Sequence, residues 1–261
     1  MNILEAKNLS KEFGGVVAVH NVSFDVTRGE VFAIIGPNGA GKTTLFNLIS
    51  GVYMPTGGEL YFEGRLLSRA KPHRRAALGL ARTFQNLQLF TNMTVLENVM
   101  VGRHTKSRAG FVAGALRLPQ QQQEEKEIRA TAHEELRAVG LEARADMLVG
   151  NLPFGQQRLV EIARAMATGP KMLMLDEPGA GLTRKELAEL DNLIRRLRDT
   201  GMTVILVEHD MELVMGIADR VMVLDYGMKI AEGTPLQVQQ NARVIEAYLG
   251  QEAFTAVAAE G

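Results

Sequence analysis

The sequence has 261 residues, of which 46% are hydrophobic and 23% are charged. This composition is ordinary for a globular protein with one large core and an appended lobe, and it excludes disordered and collagen-like chains. Because the formal net charge is −1 and cysteine is absent, the totals favour no polyanionic partner and exclude disulfides, thiolate metal sites and thiol nucleophiles.

The apolar runs of the sequence are short. Uncharged runs such as residues 31–35 and 204–207 fall far below the roughly 20 residues that a membrane-spanning helix needs. The first residues carry charges and lack the apolar segment of a secretory signal. We therefore expect a soluble cytoplasmic protein.

The predicted elements change character along the chain. Up to about residue 85, β-branched and aromatic runs separated by glycine-containing turns predict strands. These strands cover residues 3–8, 16–26, 31–35 and 59–62. From about residue 86 to 165 the pattern is helical, and residues 120–139, with many charges and few apolar positions, predict a largely solvated helix.

After residue 165, predicted strands alternate with predicted helices. The strands are residues 172–175, 203–207 and 220–224, and the helices are residues 185–198 and 211–218. Alternation of this kind indicates a sheet that is mainly parallel. The sequence thus predicts an α/β core with an inserted helical segment.

The first stretch that carries chemistry joins the predicted strand 31–35 to a helix-like segment. It fits the pattern G-x-x-x-x-G-K-[ST] and consists of Gly36, Pro37, Asn38, Gly39, Ala40, Gly41, Lys42, Thr43 and Thr44. Glycines in such a loop let backbone N–H groups turn toward phosphate oxygens, while Lys42 offers a cation to the β and γ phosphates and Thr43 a hydroxyl to Mg²⁺. The loop therefore predicts binding of a nucleoside triphosphate.

Two adjacent carboxylates, Asp176 and Glu177, follow the apolar run 172–175. In open parallel sheets, ligands bind at the carboxyl ends of strands. We expect Asp176 to hold Mg²⁺ through its water shell, and Glu177, on the opposite side of the strand, to polarise an attacking water. An apolar run ending in Asp is weak by itself, but with the upstream phosphate loop it indicates hydrolysis of the triphosphate.

A second anion site is predicted where a helix begins after the long helical segment. Its residues are Leu152, Pro153, Phe154, Gly155 and Gln156. The unsatisfied N–H groups and the dipole at a helix amino end both favour a phosphate. Because Lys42 already serves the chain's own triphosphate, we expect this second site to receive the γ phosphate of another copy.

Together these stretches resemble the ATPase subunits of ABC transporters over nearly all of the chain. The residues that carry the resemblance are Gly36 to Thr44 as Walker A, Gln85 as the Q-loop, Leu152 to Gln156 as the signature, Met172 to Glu177 as Walker B, and His209 as the switch histidine. Within that family the chain most resembles the importer ATPases for branched-chain amino acids and related hydrophobic or amide solutes. Residues 89–99, the insertion 111–118 and the ending 230–235 with 244–249 carry this closer resemblance.

The resemblance implies a role for each of these residues. Glu177, His209 and Gln85 would be catalytic, Gln85 would join Thr43 and Asp176 around Mg²⁺, and Phe13 would stack on the adenine of ATP. For Gln85, His209 and Phe13 the alternatives are a surface glutamine, a structural histidine and a core or turn aromatic.

Two departures from the family pattern affect these expectations. The usual signature is Leu-Ser-Gly-Gly-Gln, whereas here Pro153 and Phe154 replace the serine and the first glycine. Pro153 lacks a hydroxyl and an N–H, although proline is acceptable at a helix start, so we expect a weakened but working second half-site. Thr183 stands where the family commonly has Asp, which affects the coupling between the two sites.

The implied architecture is a P-loop NTPase core, with a mainly parallel mixed sheet and an antiparallel β subdomain, plus an inserted α-helical subdomain. The core would comprise residues 1–85 and 166–261, the helical signature subdomain residues 86–165, and the flexible tail residues 252–261. The cofactors would be ATP and Mg²⁺.

The implied partners are a second ATPase subunit, two transmembrane permease subunits and, indirectly, a periplasmic or lipid-anchored solute-binding protein. The chain would then lie at the cytoplasmic face of the inner membrane. A rival from another class is a soluble ABC ATPase acting on nucleic acid or ribosomes, because residues 65–82 contain six Lys or Arg and no Asp or Glu. We expect this stretch to be a solvated helix face and loop instead, and we expect no nucleic acid partner.

Overall fold

The computed structural model describes residues 1–83, 87–104, 119–209 and 211–248. The predicted Q-loop residue Gln85, the insertion 111–118 and the tail 252–261 lie outside these ranges. Among the described residues, no helix combines the length and apolar character that crossing a membrane requires.

Two sheets form the framework of the described part of the chain. The first is antiparallel, with the order β2-β1-β4-β5, and the second has six strands in the order β10-β9-β3-β8-β7-β6. The strands are β1 (Asn2–Phe13), β2 (Val16–Thr27), β3 (Val31–Ile35), β4 (Gly57–Phe62), β5 (Arg65–Leu66), β6 (Leu80–Arg82), β7 (Met172–Asp176), β8 (Thr203–Val207), β9 (Arg220–Asp225) and β10 (Met228–Gly233).

The helices connect these strands and cover the larger sheet. They are α1 (Lys42–Ser50), α2 (Pro72–Leu78), α3 (Val95–His104), α4 (Pro119–Ala138), α5 (Phe154–Ala167), α6 (Arg184–Asp199), α7 (Met211–Ile217) and α8 (Pro235–Gln239). Short 3-10 turns lie at Glu142–Arg144 and Val149–Asn151, and the backbone is helical again over residues 242–248. Helices α3, α4 and α5 pack against one another between β6 and β7 in chain order.

The larger sheet divides the apolar core into two layers. Successive side chains of a strand point to opposite faces, so Phe32 and Ile34 of β3 join the core under the antiparallel sheet and α1. Val31, Ala33 and Ile35 face the opposite core, which contains the helices of the inserted segment together with α6 and α7. Because both faces are covered, every residue of β3, β7 and β8 is buried, as expected for parallel strands.

The predicted fold class is confirmed: the structure is α/β, with a mainly parallel mixed sheet, an antiparallel sheet and a helical insertion. The predicted strands and helices after residue 165 are found within one or two residues. Strand β10 was not predicted, because its residues are half-buried or exposed and mix charged with apolar types. The division of the chain into subdomains remains a prediction.

Candidate nucleotide site

Three loops meet at the carboxyl edge of the larger sheet. Strands β3, β8 and β7 are parallel neighbours, and their registers pair Ile34 with Val207 and Val207 with Asp176. Backbone hydrogen bonds continue beyond the strands: the Glu208 N–H donates to the Ile34 carbonyl at 3.4 Å, and the Glu177 N–H donates to the Val207 carbonyl at 2.9 Å. The predicted phosphate loop, the two carboxylates and His209 therefore follow adjacent strand ends.

The phosphate loop turns closely around its neighbours, and two of its glycines are required for that path. A Cβ on Gly36 would lie 2.1 Å from the Leu224 carbonyl oxygen, and one on Gly41 would lie 2.4 Å from that of Ala18. Gly41 also has a φ of 96° as the N-cap of α1, a left-handed conformation that favours glycine. The loop therefore brings its backbone N–H groups and the amino end of α1 together, which is the cradle that a phosphate chain requires.

Lys42 is buried at the first position of α1 and folds back over its own loop. Its Nζ donates to the Gly36 carbonyl at 2.6 Å and to the Pro37 carbonyl at 2.9 Å. Burial lowers the pKa of Lys42, and the charge of Glu177 acts in the opposite direction. The Glu177 carboxylate is therefore close enough to Lys42 to favour its charged form.

The remaining residues of the loop divide into an exposed tip and an anchored base. Asn38 and Gly39 are exposed, whereas Ala40 is buried and its carbonyl accepts from the Gly227 N–H at 3.0 Å. Thr43 is exposed at the start of α1, and Thr44 is half-buried beside it. These positions leave the tip and the Thr43 hydroxyl open to a bound ligand.

Asp176 is held by an arginine that the sequence did not assign to the site. Arg82 Nη2 donates to Asp176 Oδ2 at 2.7 Å, and Arg82 Nη1 donates to Asn47 Oδ1 at 2.6 Å and to Ser50 Oγ at 2.8 Å. Arg82 therefore ties the end of β7 to α1, the helix that carries Lys42. No local pattern could reveal this pair, because its members come from β6 and β7, far apart in the chain.

The oxygen donors of the site fit Mg²⁺ only in part. Mg²⁺ prefers oxygen ligands and usually combines one or two carboxylates with substrate phosphates and water. In the described ranges no three His, Cys, Asp or Glu side chains cluster as a metal site of their own. Thr43 and Asp176 supply suitable oxygens, so a Mg²⁺ ion would depend on phosphate oxygens for much of its coordination.

Glu177 lies just beyond the end of β7, whereas the sequence predicts it on the strand, on the side opposite to Asp176. Strand β7 ends at Asp176, and Glu177 has a φ of 45°. The alternation of side chains along a strand, on which the prediction relied, therefore does not extend to Glu177. A non-glycine residue in this left-handed region costs about 1–3 kcal/mol and is frequent at active sites.

Glu208 connects the loop after β8 to the loop after Glu177. It is completely buried, its Oε1 accepts from the Gly179 N–H at 2.6 Å, and its Oε2 accepts from the His209 N–H at 3.1 Å. The His209 side chain is 60% exposed and therefore remains accessible to a ligand. The sequence placed Glu208 beside His209 but gave no sign of this bracing role.

Phe13 is the last residue of β1. Its ring is 41% exposed, meets the Tyr53 ring edge-on at 5.1 Å between centroids, and has Lys11 Nζ 4.8 Å from its centre. The proposed stacking on adenine remains a prediction.

The signature residues lie at the start of α5, away from the phosphate loop along the chain. Leu152 is buried, Pro153 is the N-cap, and the helix begins at Phe154, which is 47% exposed. The sequence predicts Pro153 at a helix start, and the structure places it at the N-cap, one residue before the first helical position. Its side chain makes no capping hydrogen bond. Gly155 is buried and Gln156 half-buried. Phe154 packs against Gly181, where an added Cβ would lie 3.2 Å from its ring.

The basic stretch 65–82 is largely the solvated helix face and loop that the sequence predicts, since four of its six basic residues are exposed, but Arg75 and Arg82 are not. Arg75 is 1% exposed and donates to the carbonyls of Leu48, Ile49, Leu67 and Ala70. Burial lowers its pKa to about 10. Arg75 thus satisfies carbonyls at the end of α1, and Arg82 is likewise committed to interior partners.

Loss of the Arg82 contact to Asp176 is expected to destabilise the core. Because the two side chains are only 12% and 5% exposed, Arg82→Met leaves a buried carboxylate without its partner and should lower the free energy of unfolding by about 3–5 kcal/mol. The control is Arg137→Met, which breaks an exposed pair with Glu142 and should cost less than about 1 kcal/mol. Urea titrations of both variants compare the two losses; equal losses would contradict the assigned role.

A phosphate loop with a buried lysine, followed at the next strand ends by carboxylates and a histidine, defines a P-loop ATPase. The family model described as "ABC transporter" matches residues 19–180, and the model described as "Branched-chain amino acid ATP-binding cassette transporter" matches residues 228–253. The high-affinity branched-chain amino acid transport ATP-binding protein LivG of Salmonella typhimurium is 45% identical over 250 residues, which cover 95% of this chain and 98% of that protein.

Solved structures of ATP-binding cassettes also resemble this chain. The ADP conformation of an ATP-binding cassette of an ABC transporter has a TM-score of 0.85 at 35% identity, covering 96% of this chain and 99% of that one. A dimeric ATP-binding cassette in a post-hydrolysis state, bound to ADP and Pi, has a TM-score of 0.75 at 28% identity, covering 89% and 98%. The chain therefore belongs to the ABC transporter family, and it is an ATP-hydrolysing subunit of that family.

Proposed function

We propose that this chain powers the import of branched-chain amino acids or a related small solute. The match of its C-terminal part to a branched-chain amino acid cassette model is the observation that carries the substrate class, and its 45% identity to LivG supports it. A site for the solute is not needed in the chain, because its role is to bind and hydrolyse ATP.

In the proposed reaction, the phosphate loop and Lys42 hold the triphosphate, and Glu177 acts as general base. Glu177 accepts a proton from the attacking water as the water oxygen bonds to the γ phosphorus, and the bond from that phosphorus to the β–γ bridging oxygen breaks, so that ADP leaves and inorganic phosphate forms. His209, exposed beside the buried Glu208, contacts the γ phosphate and fixes the water. Phe13 stacks on the adenine, and Gln85 reports the nucleotide state to the helical lobe. Mg²⁺, when bound through Thr43, Gln85 and Asp176, would neutralise charge on the phosphate oxygens.

Dimerisation completes each site. A single chain presents the phosphate loop and the signature as separate surfaces, and the solved dimer with ADP and Pi is a precedent within the family. Two subunits close head to tail, so that Leu152 to Gln156 of one copy meet the γ phosphate held by the other. Hydrolysis removes that shared anion, and the subunits separate.

A cavity between the sheet and the helical segment suits a permease helix. It has a volume of about 770 Å³ and a mainly apolar lining, and Arg82 and Arg164 are among its polar lining residues. Arg164 donates to the Gln88 carbonyl at 2.5 Å, and burial lowers its pKa. The partners proposed are two transmembrane permeases, which would hold the chain at the cytoplasmic face of the membrane, and, through them, a solute-binding protein. The second ATPase subunit is a further copy or a related chain.

Reconstitution in liposomes tests this function. The chain, its permeases and its solute-binding protein should accumulate radiolabelled leucine only with ATP, and Lys42→Ala should abolish the accumulation. Normal ATP hydrolysis that neither changes on adding the permeases nor drives uptake of any branched-chain amino acid would contradict the proposal.

A further inference from the structure

The amino end of α5 lacks a cap of its own. The first N–H groups of a helix have no partner within the helix, and they attract anions. The N-cap here is Pro153, which makes no side-chain cap, and the first turn contains no acidic residue. The signature helix therefore needs an acceptor from elsewhere in the chain or from a ligand.

Glu186 of α6 supplies that acceptor. An added Cβ on Gly155 would lie 2.2 Å from Glu186 Oε1, so the carboxylate lies directly against the Gly155 backbone. The hydrogen bonds from the Thr183 N–H and hydroxyl, with a smaller contribution from the Gly155 N–H, hold the pKa of Glu186 below its usual range, so the group is ionised at neutral pH. A carboxylate thus occupies the anion position at the start of the signature helix.

The same carboxylate also caps its own helix. Glu186 Oε2 accepts from the Thr183 N–H at 2.9 Å and from the Thr183 hydroxyl at 2.7 Å, while Thr183 Oγ1 accepts from the Glu186 N–H at 3.4 Å. This is a capping box. One side chain therefore joins the amino ends of α5 and α6, and with Gly155 it lines a cavity of about 220 Å³.

We propose that Glu186 is a positioning residue for the composite ATP site, whose carboxylate holds the signature helix until the γ phosphate of a partner's ATP takes its place at Gly155. This inference rests on the proposed head-to-tail dimer. Two anions cannot share the few N–H groups of one helix end without strong repulsion. Formation of the dimer therefore includes the displacement of Glu186 from Gly155.

Displacement of the Glu186 carboxylate from Gly155 would couple the signature helix to the loop that follows Glu177. The segment from Gly179 to Thr183 connects the catalytic carboxylate to α6, and it is fixed at one end by Glu208 and at the other by the capping box. Glu186 lies at the junction of this segment with the signature. Its release frees one of the contacts that hold the segment in place.

Glu186→Gln tests the inference because it removes the charge while its one amide oxygen can keep the contacts with Thr183, which leaves the amide NH2 group, a donor, beside Gly155. In a Glu177→Gln background, the ATP concentration at half-maximal dimerisation, measured by sedimentation velocity, should fall about fivefold or more because a repulsion is removed. The control is Glu189→Gln, which removes a charge from the same cavity lining one turn further along α6 and should shift the midpoint by less than about twofold.

A lower ATP concentration at half-maximal dimerisation distinguishes the proposed positioning role of Glu186 from a purely structural role, because a damaged helix cap would weaken the dimer. In the wild-type background, Glu186→Gln should lower the KM for ATP while leaving kcat within about twofold. A midpoint that equals that of Glu189→Gln, or a higher ATP requirement, would overturn the inference. Failure of the Glu177→Gln parent itself to dimerise with ATP would instead overturn the proposed function.

Discussion

Replacing Glu177 with glutamine is expected to reduce steady-state ATP hydrolysis by about 100-fold or more, which is the usual contribution of general acid-base catalysis, while ATP binding persists. Glutamine has the shape of glutamate but cannot accept the proton of the attacking water. Removal of the negative charge also leaves Lys42 and the phosphate loop intact, so an ATP-bound dimer should accumulate. Phosphate release and equilibrium nucleotide binding measure the two effects separately.

The control for this change is Glu189→Gln, which removes the same charge from an exposed position of α6 and should leave turnover unchanged. If Glu177→Gln hydrolysed ATP at the wild-type rate, Glu177 would have no part in the reaction. The left-handed backbone of Glu177, with a φ of 45°, would then need another explanation.

Lys42→Ala is expected to weaken ATP binding by about 100-fold or more, since charge-assisted contacts of an ammonium with phosphate are among the strongest hydrogen bonds in proteins. The change also removes the donor that holds the carbonyls of Gly36 and Pro37, so the empty loop should become less well ordered. Isothermal titration with ATP measures the loss of affinity.

Lys126→Ala is the matched control for Lys42→Ala. Lys126 is exposed on α4, and its loss should not alter the affinity for ATP. If Lys42→Ala bound ATP as tightly as this control, the assignment of Lys42 to the phosphates would be wrong.

The sequence predicted those parts of the fold and site that local patterns encode. The strands β3, β7 and β8 are continuous apolar runs because they are buried on both faces, and each precedes a chemically distinct loop. The phosphate loop, the carboxylates and His209 were therefore found by motif, and their common edge by the rule for parallel strands. Strand β10 has no such run, since it lies half-exposed at the edge of the sheet.

Contacts between residues distant in the chain were not predictable. Arg75 and Arg82 resemble solvated residues in sequence, and only the folded structure brings them to helix carbonyls and to Asp176. The role of Glu186 was hidden for the same reason, because its partner Gly155 belongs to another helix. The conformation of Glu177 depends on the loop around it, which no periodicity encodes.

Pro153 and Thr183, which both depart from the family pattern, lie close to the same carboxylate. Pro153 provides no hydroxyl at the start of α5, and the Glu186 carboxylate stands against the neighbouring Gly155. Thr183, which replaces the common Asp, caps α6 and holds the other oxygen of that carboxylate. The Glu186 side chain thus contacts Thr183 through one oxygen and lies beside the signature residue Gly155 through the other.

The rate of ATP hydrolysis per subunit, measured against protein concentration for the wild-type chain and for Gly155→Glu, tests the shared-site account most directly. A site shared by two copies requires a rate that rises with concentration as dimers form, and almost no hydrolysis when a carboxylate at position 155 blocks the partner's γ phosphate. Full hydrolysis by a monomer at every concentration, unaffected by the change at Gly155, would contradict it.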